Sequence, residues 1–167
     1  MRIPGVPGRR RARRAALLVV AALVVLAQLW RPDRTNPATD PSQTLAAQID
    51  VPNDVKAILD RACRDCHSHD TRWPWYSQVA PVSWLLARDV ATGRDELNFS
   101  EWGQYDPETA AGQLDAMCEQ VREGEMPLPG YLVLHDEARL TAADAATLCR
   151  WAEAARASLP PPEDEGP

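Results

Sequence analysis

Cys63-Arg64-Asp65-Cys66-His67 is the stretch on which the fold of this chain turns. The two thiols are three residues apart and the imidazole is four from Cys63, so on one helical turn all three project from one face. A covalently held haem c needs this arrangement: the thiols add to the two vinyl groups as thioethers, and the adjacent imidazole becomes the proximal iron ligand. Two other chemistries use a Cys-x-x-Cys pair. A redox dithiol expects a thioredoxin-like βαβ pattern around it, and none is visible. A zinc site needs further Cys or His at ligand spacing, and only His69 lies nearby, too close for a second half-site.

Upstream, Pro52 suits the first turn of a helix whose apolar positions are Val55, Ile58, Leu59, Ala62, Cys63 and Cys66. These form one stripe, so the thiols are expected to continue the buried face of that helix. Residues 31–51 are rich in Pro, Asp, Asn, Thr and Gln without sustained periodicity and read as an extended tether. Before them stand Arg9, Arg10, Arg11, Arg13 and Arg14, then an apolar run from Ala15 to Trp30 broken only by Gln28. Residues 1–30 therefore read as an export segment. The run is short for a span, which wants about twenty residues, and long for a signal-peptide core. Trp30 and Arg31 suit the far interface of a retained membrane helix, whereas Val25-Leu26-Ala27 would suit cleavage. The expectation is a single-pass anchor in the cytoplasmic membrane with the body in the periplasm or outside. The alternative is a cleaved signal peptide and a soluble periplasmic protein.

Downstream, Trp73, Trp75, Tyr76 and Trp84 bring more aromatic area than a loop requires and are expected to wall the haem crevice, with ordinary core the competing reading. Arg72 is a candidate partner for a haem propionate or a solvated surface residue. A second helix is expected from Pro81 to about Thr92, with Gly93 as its stop. A third starts at Asp106-Pro107, carries Leu114, Met117, Cys118 and Val121, and ends at Gly124. Met126 follows on a stiff loop, Glu125-Met126-Pro127-Leu128-Pro129, and can reach the iron from the side opposite His67. His135, on the next loop, is the competing sixth ligand and would give a bis-His haem. Met117 reads as core. His69, two residues from the proximal ligand, reads as solvent-exposed or hydrogen-bonding. A fourth helix is capped by Thr141 with Asp144 in a capping box. Beyond it, residues 158–167 form an acidic tail.

Charge divides unevenly. Residues 1–34 hold eight Arg and one Asp, so of 18 basic and 24 acidic residues the rest keeps ten and 23. A body this acidic disfavours nucleic acid and suits redox partner proteins with a basic docking surface, or simply a soluble face. Cys118 and Cys149 remain once haem takes the first pair. Outside the cytoplasm they can form a disulfide; otherwise they are two small buried thiols.

The order of elements resembles monohaem c-type cytochromes of the His/Met kind. More closely, the chain resembles the bacterial haem-binding domain family. The resemblance rests on Arg31-Pro32-Asp33-Arg34-Thr35-Asn36-Pro37, on Cys66-His67-Ser68 with Thr71-Arg72-Trp73-Pro74-Trp75-Tyr76, and on Ala80-Pro81-Val82-Ser83-Trp84-Leu85. Asn98-Phe99-Ser100-Glu101-Trp102 and Gly124-Glu125-Met126-Pro127 complete it. It implies an all-α, cytochrome c-like domain of about four helices over residues 52–157, exported and tethered by the N-terminal helix. It also implies one covalent haem on Cys63, Cys66 and His67, with Met126 the sixth ligand. The function expected is electron transfer and not enzymatic catalysis. A peroxidase-like enzyme using His69 or His135 as distal base, or a haem-based sensor with an open sixth site, is the alternative.

Overall fold

A computed structural model describes residues 8–161. Residues 1–7 of the expected anchor and 162–167 of the expected acidic tail lie outside the described residues. Among the described residues the chain is entirely helical: α1 (Arg9–Ala27), α2 (Leu45–Gln48), α3 (Asn53–Ala62), α4 (Arg64–His67), α5 (Val82–Glu96), α6 (Pro107–Glu123), α7 (Pro129–Leu132) and α8 (Ala142–Ser158). Single 3-10 turns occupy Pro41–Gln43, Trp75–Gln78, Trp102–Gln104 and Asp136–Ala138. Two compact units result. One is Met1–Arg34 with Trp73–Arg88; the other is Thr35–Arg72 with Asp89–Pro167.

In the first unit α1 leaves none of its residues buried. No described helix is long and apolar enough to cross a membrane, so the spanning anchor expected from the sequence is not supported. The reason lies in the register: five Arg fill the N-terminal part of α1 and the helix stops at Ala27. The apolar portion from Ala15 onward rises about 20 Å, against about 30 Å of hydrocarbon. Beyond the helix, the Gln28 side chain clasps the backbone of Ala80. Its Oε1 accepts the Ala80 N–H at 2.9 Å and its Nε2 donates to the Ala80 carbonyl at 3.3 Å. Trp84 Nε1 donates to the Trp30 carbonyl at 2.9 Å, and the Arg34 guanidinium donates to the Ser77 carbonyl.

The second unit is built on α6 and α8, whose buried faces meet through Leu114, Met117, Leu148 and Ala152, with Val55 and Leu59 of α3 joining them. Local sequence sets the ends of both long helices. Asp106 accepts the Thr109 N–H at 2.8 Å, Pro107 opens the first turn of α6, and Gly124 at φ 76° closes it in the left-handed region that side chains avoid. Thr141 and Asp144 form a reciprocal capping box at the start of α8. Cys118 of α6 and Cys149 of α8 are joined as a disulfide.

Two expectations change here. The stretch read as a tether to residue 51 carries Leu45 and Ile49, both buried in the core, so it is folded from Pro41 onward. Its polar composition masked two apolar residues four apart, the spacing that puts them on one face of a helical turn. Gly93 does not stop α5, which runs on to Glu96. A Cβ on Gly93 would lie 2.8 Å from the carbonyl oxygen of Cys66, so the glycine is there for close approach of two backbones rather than for termination.

Candidate functional site

The two thiols do not ride on one continuous helix. α3 ends at Ala62, Cys63 departs from helical geometry at φ −125°, and a separate single turn, α4, carries Arg64 to His67. The amides of Cys66 and His67 both donate to the Cys63 carbonyl, at 3.1 and 3.0 Å, so the turn is wound tightly on Cys63 itself. Asp65 anchors it from outside. Its carboxylate accepts from the Tyr131 hydroxyl at 3.1 Å and from Arg72 Nε at 3.3 Å, while its carbonyl accepts the Thr71 hydroxyl at 2.6 Å. Arg94 completes the clamp, donating to the Ser68 carbonyl at 2.8 Å and to Thr71 Oγ1 and Asn36 Oδ1 at 2.9 Å each. Asn36 in turn donates to the Thr71 carbonyl at 2.9 Å. Arg94 carried no periodic or motif signal in the sequence.

His67 is held by the segment that follows α5. Its Nδ1 lies 3.0 Å from the Leu97 carbonyl, its own carbonyl accepts the Phe99 N–H at 2.7 Å, and the two rings stand 6.1 Å apart. A carbonyl can only accept, so Nδ1 carries the proton and Nε2 keeps its lone pair. Burial pushes the ring's pKa down, opposed by the hydrogen bonds to the Leu97 and Gly93 carbonyls, so the imidazole is neutral. A hydrogen bond from one ring nitrogen to a backbone carbonyl is what orients a metal-ligating histidine.

Beside His67 lies a cavity of about 340 Å³. Cys63 and His67 line it from one side, Leu97 and Phe99 extend it, and the Gln113, Met117 and Gln120 face of α6 encloses it. Met126 also lines it, which brings together three of the residues singled out in the sequence. Cys66 sits against Gly93. Burial pushes the Cys63 thiol up to about 12 and the Cys66 thiol up to about 11, so both are protonated at neutral pH. Thiols held this way are poor metal-binding thiolates and sluggish disulfide nucleophiles. Among the described residues no three His, Cys, Asp or Glu converge on a point where a metal ion would sit, which leaves zinc without a ligand set.

Other expected residues lie elsewhere. His135 stacks on Tyr131 with ring centroids 4.1 Å apart, its Nδ1 3.1 Å from Glu137, and it does not line the cavity. His69 is buried, not exposed; Asn98 Nδ2 donates to its Nε2 at 3.0 Å, and Ser100 Oγ accepts its amide N–H. Arg72 is engaged with Asp65, which raises its pKa further. Trp73, Trp75, Tyr76 and Trp84 belong to the first unit, whereas the residues lining this cavity all belong to the second. The aromatic side chain on the cavity wall is that of Phe99, from the short turn segment after α5.

A family model described as a haem-binding domain matches residues 22–154. The chain belongs to the haem-binding domain family. No curated protein and no solved structure matches it. The residues of this haem-binding domain fit the cofactor by their chemistry: a neutral imidazole with Nε2 available, a thioether sulfur on the same cavity, and a largely apolar lining. Leu97 and Phe99, together with Ala116 and Val121 of α6, are the groups positioned to exclude water from it.

Proposed function

We propose that this chain is an exported monohaem cytochrome of the c type that carries electrons. Cys63 and Cys66 hold the porphyrin as thioethers, and His67 and Met126 ligate the iron. The observation that carries the reading is the Leu97 carbonyl fixing His67 Nδ1, which leaves Nε2 as the ligand nitrogen of a cavity shared with Cys63 and Met126. The bound haem supplies one-electron chemistry at the iron. The protein's part is to orient His67, exclude water and offer a soft sulfur that raises the reduction potential.

Met126 is preferred over Met117 although both line the cavity. Met117 is part of the packed core on α6, whereas Met126 is half-buried on the loop after Gly124, where its amide and that of Glu125 both donate to the Gln120 carbonyl. Neither His135 nor His69 lines the cavity, which argues against a peroxidase with a distal base. The Cys118–Cys149 disulfide supports export, since disulfides persist outside the cytoplasm. The Arg-rich, apolar α1 supports attachment to the cytoplasmic membrane, with the haem unit on its outer side. The acidic second unit suits redox partners with a basic surface.

The test is protein matured in a host competent for cytochrome c assembly. Denaturing, reducing mass spectrometry should give the polypeptide plus one haem. Met126→Ala should lower the reduction potential and open the iron to carbon monoxide, while His135→Ala changes neither. Carbon monoxide binding by Met117→Ala instead would move the sixth ligand to α6.

A further inference from the structure

We infer that residues 73–88, with Trp30, form a seat on an anionic lipid surface beside α1. The inference rests on the membrane attachment proposed above and says which part of the body meets the bilayer. Three observations carry it.

The first is that α1, from Ala15 onward, is apolar on every side. Leu17, Leu18, Val19 and Val20, and again Leu23 to Leu26, are each more than half exposed. Four consecutive residues at 100° each go round the helix, so no single face awaits a protein partner. An apolar stretch of this kind belongs in hydrocarbon, and its short rise leaves the chain that follows no length to stand clear of the headgroups.

The second is what is fastened to that end. The two Gln28–Ala80 hydrogen bonds and the bond from Trp84 Nε1 to the Trp30 carbonyl fix residues 73–88 directly after α1. The side chains so presented are apolar and exposed: Trp30 at 77%, Trp75 at 78% and Leu85 at 51%, with Val79, Val82 and Trp84 also open. Trp30 and Trp84 stand with ring centroids 6.4 Å apart. Tryptophan, with an apolar body and one N–H, favours the membrane interface.

The third is charge. Six of the nine Arg in the first unit stand at or before the N-terminal end of α1, away from the seat; Arg31, Arg34 and Arg88 adjoin it, with Asp33 the one acid. Within 73–88 there is Arg88 and no Asp or Glu. An apolar segment with this small basic excess complements anionic headgroups, each nearby Arg contributing attraction that falls off within a Debye length.

The experiment uses the full-length haem-loaded protein in vesicles of phosphatidylethanolamine and phosphatidylglycerol carrying a phospholipid with a photoreactive diazirine near its headgroup. Mapped by mass spectrometry, adducts should fall on α1 and on 75–85, roughly tenfold above Val133 and Leu134, the exposed apolar pair of the second unit. In a Trp75→Glu, Val79→Glu variant, labelling of 75–85 should drop roughly fivefold while labelling of α1 and the haem spectrum hold. Adducts on α1 alone overturn the seat and leave the attachment standing. Adducts on neither overturn both. Cross-links between copies at 75–85 in place of lipid adducts overturn the seat in favour of self-association.

Discussion

The chain has two cysteine pairs with opposite fates. Cys118 and Cys149 are 31 residues apart, sit on the facing sides of α6 and α8 with Cα atoms 4.9 Å apart, and are joined. Cys63 and Cys66 are three apart, border a turn beside a cavity, and are free. What separates them is the backbone beneath each pair. Two regular helices bring the distant pair face to face, while the near pair flanks a one-turn helix wound on the Cys63 carbonyl and is not joined. The first pair closes a seam of protein; the second pair remains two free thiols, the ones proposed above to hold the porphyrin.

The sharpest way to break this comparison is to delete each pair. Cys63→Ala with Cys66→Ala should leave no haem on the denatured polypeptide, whereas Cys118→Ala with Cys149→Ala should keep one haem per chain. Retention of the porphyrin through denaturation by the first variant would dismiss covalent attachment at this turn. The second variant should instead lose about 3–4 kcal/mol of unfolding free energy in denaturant titration, the chain-entropy value for a loop of this size. No change in the midpoint would mean that α6 and α8 hold without their bridge.

A smaller effect is expected at Gly93, which separates the turn's support from its chemistry. Gly93→Ala puts a methyl 2.8 Å from the Cys66 carbonyl, and neither backbone can yield far. About 1–3 kcal/mol of stability should be lost, together with a lower haem-loaded fraction. If Gly93→Ala matures and unfolds like the parent, the close approach does not constrain the site.

The smallest concerns the α8 end of the seam. The Asp144 carboxyl is held below its ordinary value by the Thr141 backbone N–H and hydroxyl, with Arg61 adding less. A depressed folded-state pKa contributes stability that is present above the unfolded value, near 3.8, and fades as pH falls through the folded one. Thr141→Ala should cost about 1 kcal/mol at neutral pH, and the gap between variant and parent should shrink in acid. A gap that persists at low pH would show that the cap acts through packing instead.

Much of the scaffold was legible because the signals are local. Asp106-Pro107, Gly124 and the Thr141–Asp144 box each act within one turn of the backbone, and the helices begin and end where those residues say. Leu45 and Ile49 were missed because their partners are distant in sequence, among them Phe99 and Trp102. Gly93 was read as a stop because nothing in its neighbours announces a backbone packed across from it. The aromatic area of Trp73, Trp75, Tyr76 and Trp84 is plain in the sequence, but nothing in it says that these rings and the cavity lining fall in different units.

By itself the sequence picked out the residues proposed as donors, two thiols, an imidazole and a thioether, because residue chemistry and short spacing are written in order along the chain. Only the tertiary structure decided how His67 is held, that Cys118 finds Cys149, and that Arg94, Asn36 and Thr71 clamp the turn. Those decisions depend on groups 20 to 60 residues apart meeting within hydrogen-bond distance. Hydrogen bonds and close packing act over a few ångströms, and the folded path of the backbone, not the order of residues, sets which groups come that close.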